Sequence, residues 1–135
     1  MAATPAPQLG TSLIDAIRWD ADGLIPAVVQ QHDSGAVLML AWMNRAAVEA
    51  TLASGETHFY SRSRRAQWRK GETSGQVQRV KEVRLDCDGD ALLVLVDQTG
   101  VACHTGRRSC WFNTVRDGRI AVLTDPEIDP AKLYR

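Results

Sequence analysis

Short stretches of apolar residues, separated by turn-forming residues, dominate this chain and predict strands more often than helices. Residues 26–31 and 37–42 read as strands joined by the turn-like His32-Asp33-Ser34-Gly35. Asn44 is a good helix N-cap, Val48 and Leu52 share one helical face, and Gly55 is a stop signal, so residues 45–54 predict a short helix. Residues 57–62 return to strand character. The segment 76–88 ends in clean alternation, with Val83, Leu85 and Cys87 on one face and Arg84, Asp86 and Asp88 on the other. A turn at Gly89 and a buried strand over 92–96 complete a hairpin. Residues 112–115 and 120–123 predict a last hairpin around Asp117-Gly118. Two prolines follow Asp125, and that tail is expected to wrap the surface. The pattern predicts a β-rich α+β fold with one or two short helices.

Composition narrows this picture. At 135 residues, 44% hydrophobic and 24% charged, the chain suits one globular domain. Residues 1–10, with two prolines and small residues, are expected to be a flexible tail, and 11–135 the domain. They lack the basic start and apolar core of a secretory signal, so a cytoplasmic location is expected. No apolar run approaches the roughly 20 residues of a membrane span. A net charge of zero argues against nucleic-acid or membrane binding through bulk charge. Charge is nevertheless uneven: Arg62, Arg64, Arg65, Arg69 and Lys70 crowd one segment, and Asp86, Asp88 and Asp90 another.

Three cysteines, Cys87, Cys103 and Cys110, cannot all pair within one chain, which favours a metal or reactive thiols over disulfides. A catalytic zinc takes three protein ligands and keeps a position for water, and three thiols match that count. Their spacing is not the paired Cys-x-x-Cys of zinc ribbons. Ordinary buried cysteines, or a closed site with His104 as fourth ligand, are the alternatives. Asp86, Asp88 and Asp90 repel one another unless neutralised, and hard oxygen ligands suit magnesium or calcium; a solvated acidic turn is the plainer reading. Alternation would place Asp86 and Asp88 opposite Cys87, which reads as two ions on two sides of a strand end. Ser61-Arg-Ser-Arg64 and Trp68-Arg-Lys-Gly-Glu-Thr-Ser-Gly75 mix guanidinium, hydroxyl, glycine and an aromatic ring. That mixture suits a phosphorylated ligand with a stackable base, although an arginine run alone is more often solvated surface.

These segments, with Asp86-Cys-Asp-Gly-Asp90 and Cys103-His-Thr-Gly-Arg-Arg-Ser-Cys110, resemble the signature of the phosphoribosyl-AMP cyclohydrolases of histidine biosynthesis. The resemblance runs from about Leu24 to Phe112; Trp111 stands where the family pattern suggests phenylalanine directly after the last cysteine. It implies hydrolysis of the adenine N1–C6 bond of phosphoribosyl-AMP by a zinc-activated water. It implies Cys87, Cys103 and Cys110 as zinc ligands and Asp86, Asp88 and Asp90 as magnesium ligands. It also implies a homodimer whose zinc site is shared, Cys87 of one copy facing Cys103 and Cys110 of the other. His104, an imidazole beside a zinc ligand, is the expected proton shuttle, with Glu72 as second candidate. Arg62, Arg64, Lys70 and Arg107 are expected at the two phosphates, and Trp68, Ser74 and Thr105 as further substrate contacts.

Overall fold

The computed structural model describes residues 9–133, so most of the expected N-terminal tail lies outside the described residues. A one-turn helix α1 (Leu13–Ala16), capped by Ser12, precedes β1 (Leu24–Gln31) and β2 (Val37–Asn44). The helix α2 (Arg45–Ser54) starts where expected: the Asn44 side chain accepts from the Ala47 amide, and Gly55 closes it in the left-handed region. Its buried face is Ala47, Val48 and Thr51, while Leu52 is half exposed. Then come β3 (His58–Ser61), β4 (Ala66–Arg69), β5 (Gln78–Leu85), β6 (Leu92–Gln98), β7 (Asn113–Arg116) and β8 (Arg119–Val122). The β7–β8 turn is built on positive φ at Asp117 and Gly118, as its sequence predicts. The fold is β-rich with two α-helices, in agreement with the sequence pattern. Among the described residues no helix is long and apolar enough to cross a membrane.

Four strands form one sheet in the order β2-β1-β6-β5, with β1 and β6 parallel and the outer pairs antiparallel; β3–β4 and β7–β8 are separate hairpins. One face carries Ile25, Ala27, Val29, Met39, Met43, Leu92, Val94 and Val96, and packs on α2 and Phe59 to form the core. The other face is also apolar, through Val28, Leu40, Trp42, Leu93 and Leu95, yet none of these is fully buried. Strands apolar on both faces are characteristic of sheets covered on both sides.

The sheet also sets the distance between the cysteines. The segment after β6 leaves one end of the sheet, and the Cys110 amide donates to the Leu38 carbonyl (2.7 Å) near the start of edge strand β2. Cys87 follows β5, the opposite edge strand, at the opposite end. Three inter-strand steps of about 4.8 Å put them at least ~14 Å apart within one chain, before the offset along the strands is added.

Candidate active site beside two cysteines

The loop carrying two of the cysteines is held by buried glutamines. Gln78, wholly buried, accepts from the Thr57 hydroxyl (2.8 Å) and donates to the Gln98 side-chain oxygen (2.7 Å). Gln98 in turn donates to the Thr99 (2.7 Å) and Val101 (3.3 Å) carbonyls, and Gln76 accepts from the Val101 amide (3.0 Å). A fully satisfied polar chain therefore runs from Thr57, just before β3, through β5 and β6 into the loop. On its far side Gly106 sits at φ +82°, its carbonyl accepting from the Glu127 and Ile128 amides; a Cβ there would come within 1.8 Å of the Ile128 oxygen. Only glycine suits this position.

Within this frame Cys103 is buried and accepts from the Thr105 hydroxyl (3.1 Å). The Cys110 thiol hydrogen-bonds Cys103; burial, reinforced by that neighbouring thiol, pushes it up to about 12. The two sulfurs form one soft donor pair.

Beside them opens a cavity of about 450 Å³ whose lining includes Arg64, Trp68, Lys70, Glu72, Ser74, His104 and Cys110. Seven residues singled out in the sequence thus converge from three separate segments. Trp68 is fixed by β3–β4 pairing, directly opposite Phe59, with ring centroids 4.9 Å apart. Lys70, only 7% exposed, donates through Nζ to the Ala102 carbonyl at 2.6 Å. Its burial lowers its pKa, and Cys110 and Cys103 partly offset that. Gly71, at φ +84°, turns the chain where a Cβ would lie 2.6 Å from the Val77 amide nitrogen. Glu72 accepts from the Arg69 amide (3.2 Å), and the Ser74 hydroxyl oxygen from the Gln76 amide (3.2 Å). His104 is exposed at the cavity wall.

Other expected site residues lie elsewhere in the chain. Arg62 stacks over Trp42, its guanidinium carbon 4.4 Å from the ring centroid, and lines a different cavity with Tyr60 and Arg65. Arg107 lies over Phe112 at 4.0 Å and donates through Nε to the Thr124 carbonyl (2.7 Å). Thr105 is engaged with the Cys103 sulfur.

The expected opposition of Cys87 to the aspartates is corrected by the structure. β5 ends at Leu85, so strand alternation stops before Cys87. A turn follows, with the Asp86 carboxylate accepting from the Asp90 (2.9 Å) and Ala91 (3.3 Å) amides. The turn gathers the Cys87 sulfur with an oxygen of Asp86 and of Asp88, all within 4.8 Å of one another and exposed, a possible metal-binding group. Asp90 stands outside that trio. A hydrogen bond between the Asp86 and Asp90 side chains raises Asp90 above the ordinary carboxylate value. Asp86 is held lower: desolvation, which raises it, is outweighed by the combined hydrogen bonds from the Asp90 amide and side chain and from the Ala91 and Gly89 amides.

What sequence reasoning missed is the support: Gln76, Gln78 and Gln98, which read as ordinary polar strand residues until their partners are known.

Comparison with known proteins agrees with the earlier resemblance. Residues 39–112 match the model of the phosphoribosyl-AMP cyclohydrolase family. A phosphoribosyl-AMP cyclohydrolase of Rhodospirillum centenum is 63% identical over 123 residues, 91% of this chain and 92% of the relative. That of Granulibacter bethesdensis is 62% identical over 125 residues, covering 92% and 98%. The Rhodospirillum rubrum enzyme is 58% identical over 135 residues, covering 99% and 94%. With residues of three of its four motifs lining one cavity and relatives this similar over nearly the whole length, the chain belongs to the phosphoribosyl-AMP cyclohydrolase family.

Proposed function

We propose that this chain hydrolyses the N1–C6 bond of phosphoribosyl-AMP, opening the six-membered adenine ring, in histidine biosynthesis. The observation that carries this reading is the cavity joining Arg64, Trp68, Ser74, Glu72 and His104 to Cys110, the neighbour of Cys103. Phosphate binding falls to Arg64 and the Ser74 hydroxyl, and the Trp68 ring offers a face for the base. Arg62, Arg107 and Thr105, engaged with Trp42, Phe112 and Cys103, would need to exchange those partners to reach the same ligand.

The donor set fits zinc: Cys110 at the cavity wall, the buried Cys103 beside it, and a third thiol, Cys87, in an exposed turn. Cys87, Cys103 and Cys110 would hold it, and Asp86, Asp88 and Asp90 would supply the hard oxygens that magnesium prefers. When bound, zinc supplies Lewis acidity that brings the pKa of water to roughly 7.

His104 takes the proton from the attacking water and delivers it to N1 as the C6–N1 bond breaks, so one water is consumed and the ring opens with no leaving fragment. Glu72, on the same wall, is the alternative base.

Because Cys87 lies at the diagonal corner of the sheet, the three sulfurs meet only if a second copy of the chain supplies one of them. The half-exposed apolar sheet face, Leu40 and Trp42 included, and the hairpin residues Val115 and Ile120, both more than 60% exposed, support such a homodimer.

The test is incubation with phosphoribosyl-AMP, following the open-ring imidazole carboxamide by absorbance, with and without a chelator. Turnover that stops on chelation and in Cys103→Ala and Cys110→Ala is expected. Release of ammonia would replace ring opening by deamination, and retained activity in either variant would refute the ligand assignment.

A further inference from the structure

Lys70 is anomalous for a phosphate ligand. An ammonium has three protons to donate and a charge that is costly to desolvate. Lys70 is 7% exposed, and its one side-chain hydrogen bond among the described residues goes to a neutral acceptor, the Ala102 carbonyl. None of the ion pairs among the described residues includes it. Buried charges of this kind are normally matched by an opposite charge close by. Lys70 shares its cavity wall with Cys110, the Cys110 and Cys103 sulfurs both act on its charge, and the carbonyl it grips belongs to the residue immediately before Cys103.

We infer that Lys70 is a positioning residue for the metal-binding thiolates: its fixed positive charge balances the Cys103–Cys110 pair, and its bond to Ala102 orients the chain entering Cys103. The inference rests on the proposed zinc reading and replaces phosphate binding as the role of Lys70. A divalent ion held by three thiolates carries a net charge of −1, which one neighbouring ammonium neutralises. Gly71 and the Lys70 amide, which donates to the Thr57 carbonyl (3.0 Å), hold the residue in this place. Because Thr57 also anchors the glutamine chain, Lys70 and the cysteine loop share one support.

The test is zinc affinity, measured on the full chain by competition with a chromophoric chelator, alongside KM for phosphoribosyl-AMP in zinc-saturated protein. Lys70→Met is expected to weaken zinc binding at least tenfold, in the 10–100-fold range typical of residues that support metal ligands, with KM changed less than twofold. Lys70→Arg, which keeps the charge, recovers most of the affinity. Should Lys70→Met fail to fold, Lys70→Gln serves, because it can still bond Ala102 without the charge, and the same tenfold loss is expected. Zinc affinity within twofold of the parent, with KM raised tenfold, would overturn the inference and return Lys70 to the phosphates. A parent protein that does not bind zinc would overturn the functional reading as well. A parent that binds tightly, beside an unaffected Lys70→Met, overturns the role of Lys70 alone.

Discussion

Replacing Gln78 by leucine tests whether the buried glutamine chain supports the cysteine loop. The side chain is wholly buried and of similar length, so the change removes hydrogen bonds with little change in volume. It takes away the acceptor of the Thr57 hydroxyl (2.8 Å) and the donor to the Gln98 side-chain oxygen (2.7 Å). Each buried polar group left without a partner costs about 1–3 kcal/mol, and the better apolar burial of leucine returns part of that, so a net loss of about 2–4 kcal/mol is expected. Urea unfolding at constant m-value measures it. Thr57→Val removes one of the orphaned groups, so the double variant should cost less than the sum of the singles by about 1 kcal/mol. Because Gln98 also carries the Thr99 and Val101 carbonyls, amide exchange around Val101 should accelerate with the same substitution. A Gln78→Leu protein within about 0.5 kcal/mol of the parent, with unchanged exchange at Val101, would refute the reasoning.

Three further outcomes follow from the same loop. Gly106→Ala forces a Cβ to 1.8 Å from the Ile128 oxygen at positive φ, and should cost at least ~2 kcal/mol while freeing the 125–133 segment to rapid proteolysis; wild-type stability would contradict the clamp. The raised Cys110 pKa, about 12 against an ordinary 9.0, favours the protonated thiol in the metal-free fold. That contribution to stability is fully present below pH 9.0 and is lost as pH rises toward 12. Zinc must displace the same proton and one from each further thiol it binds, so its affinity should rise at least tenfold per pH unit between about pH 6 and 8, and a flat profile would exclude Cys110 as a thiolate ligand.

Much of the scaffold was legible because its signals are local. The Asn44 cap, the Gly55 stop and the Asp117-Gly118 turn each act within a few residues, and all three appear as read. The helix α1 is too short to show a period. β4 is hidden in a basic stretch, where register is set by Phe59 packing on Trp68 and not by its own alternation. Cys87 was misplaced because the Asp86 carboxylate, by capturing backbone amides, ends the strand three residues earlier than the alternation suggests. At the site, residue chemistry pointed to the cavity walls, since Arg64, Trp68, Glu72, Ser74 and His104 do converge. The burial of Lys70 depends on a carbonyl 32 positions away, and that of Gln78 on partners about 20 positions distant. No local pattern reports such pairings.

Mixing two inactive variants tests most directly the proposal that a second copy of the chain completes the catalytic site. Cys87→Ser and Cys103→Ser are each expected to be inactive alone. After co-refolding in equal amounts, half of the dimers pair one of each and carry one intact site, so about a quarter of parental activity should return. Activity that stays at the level of the separate variants, in a mixture shown to contain the hybrid dimer, would contradict the shared site.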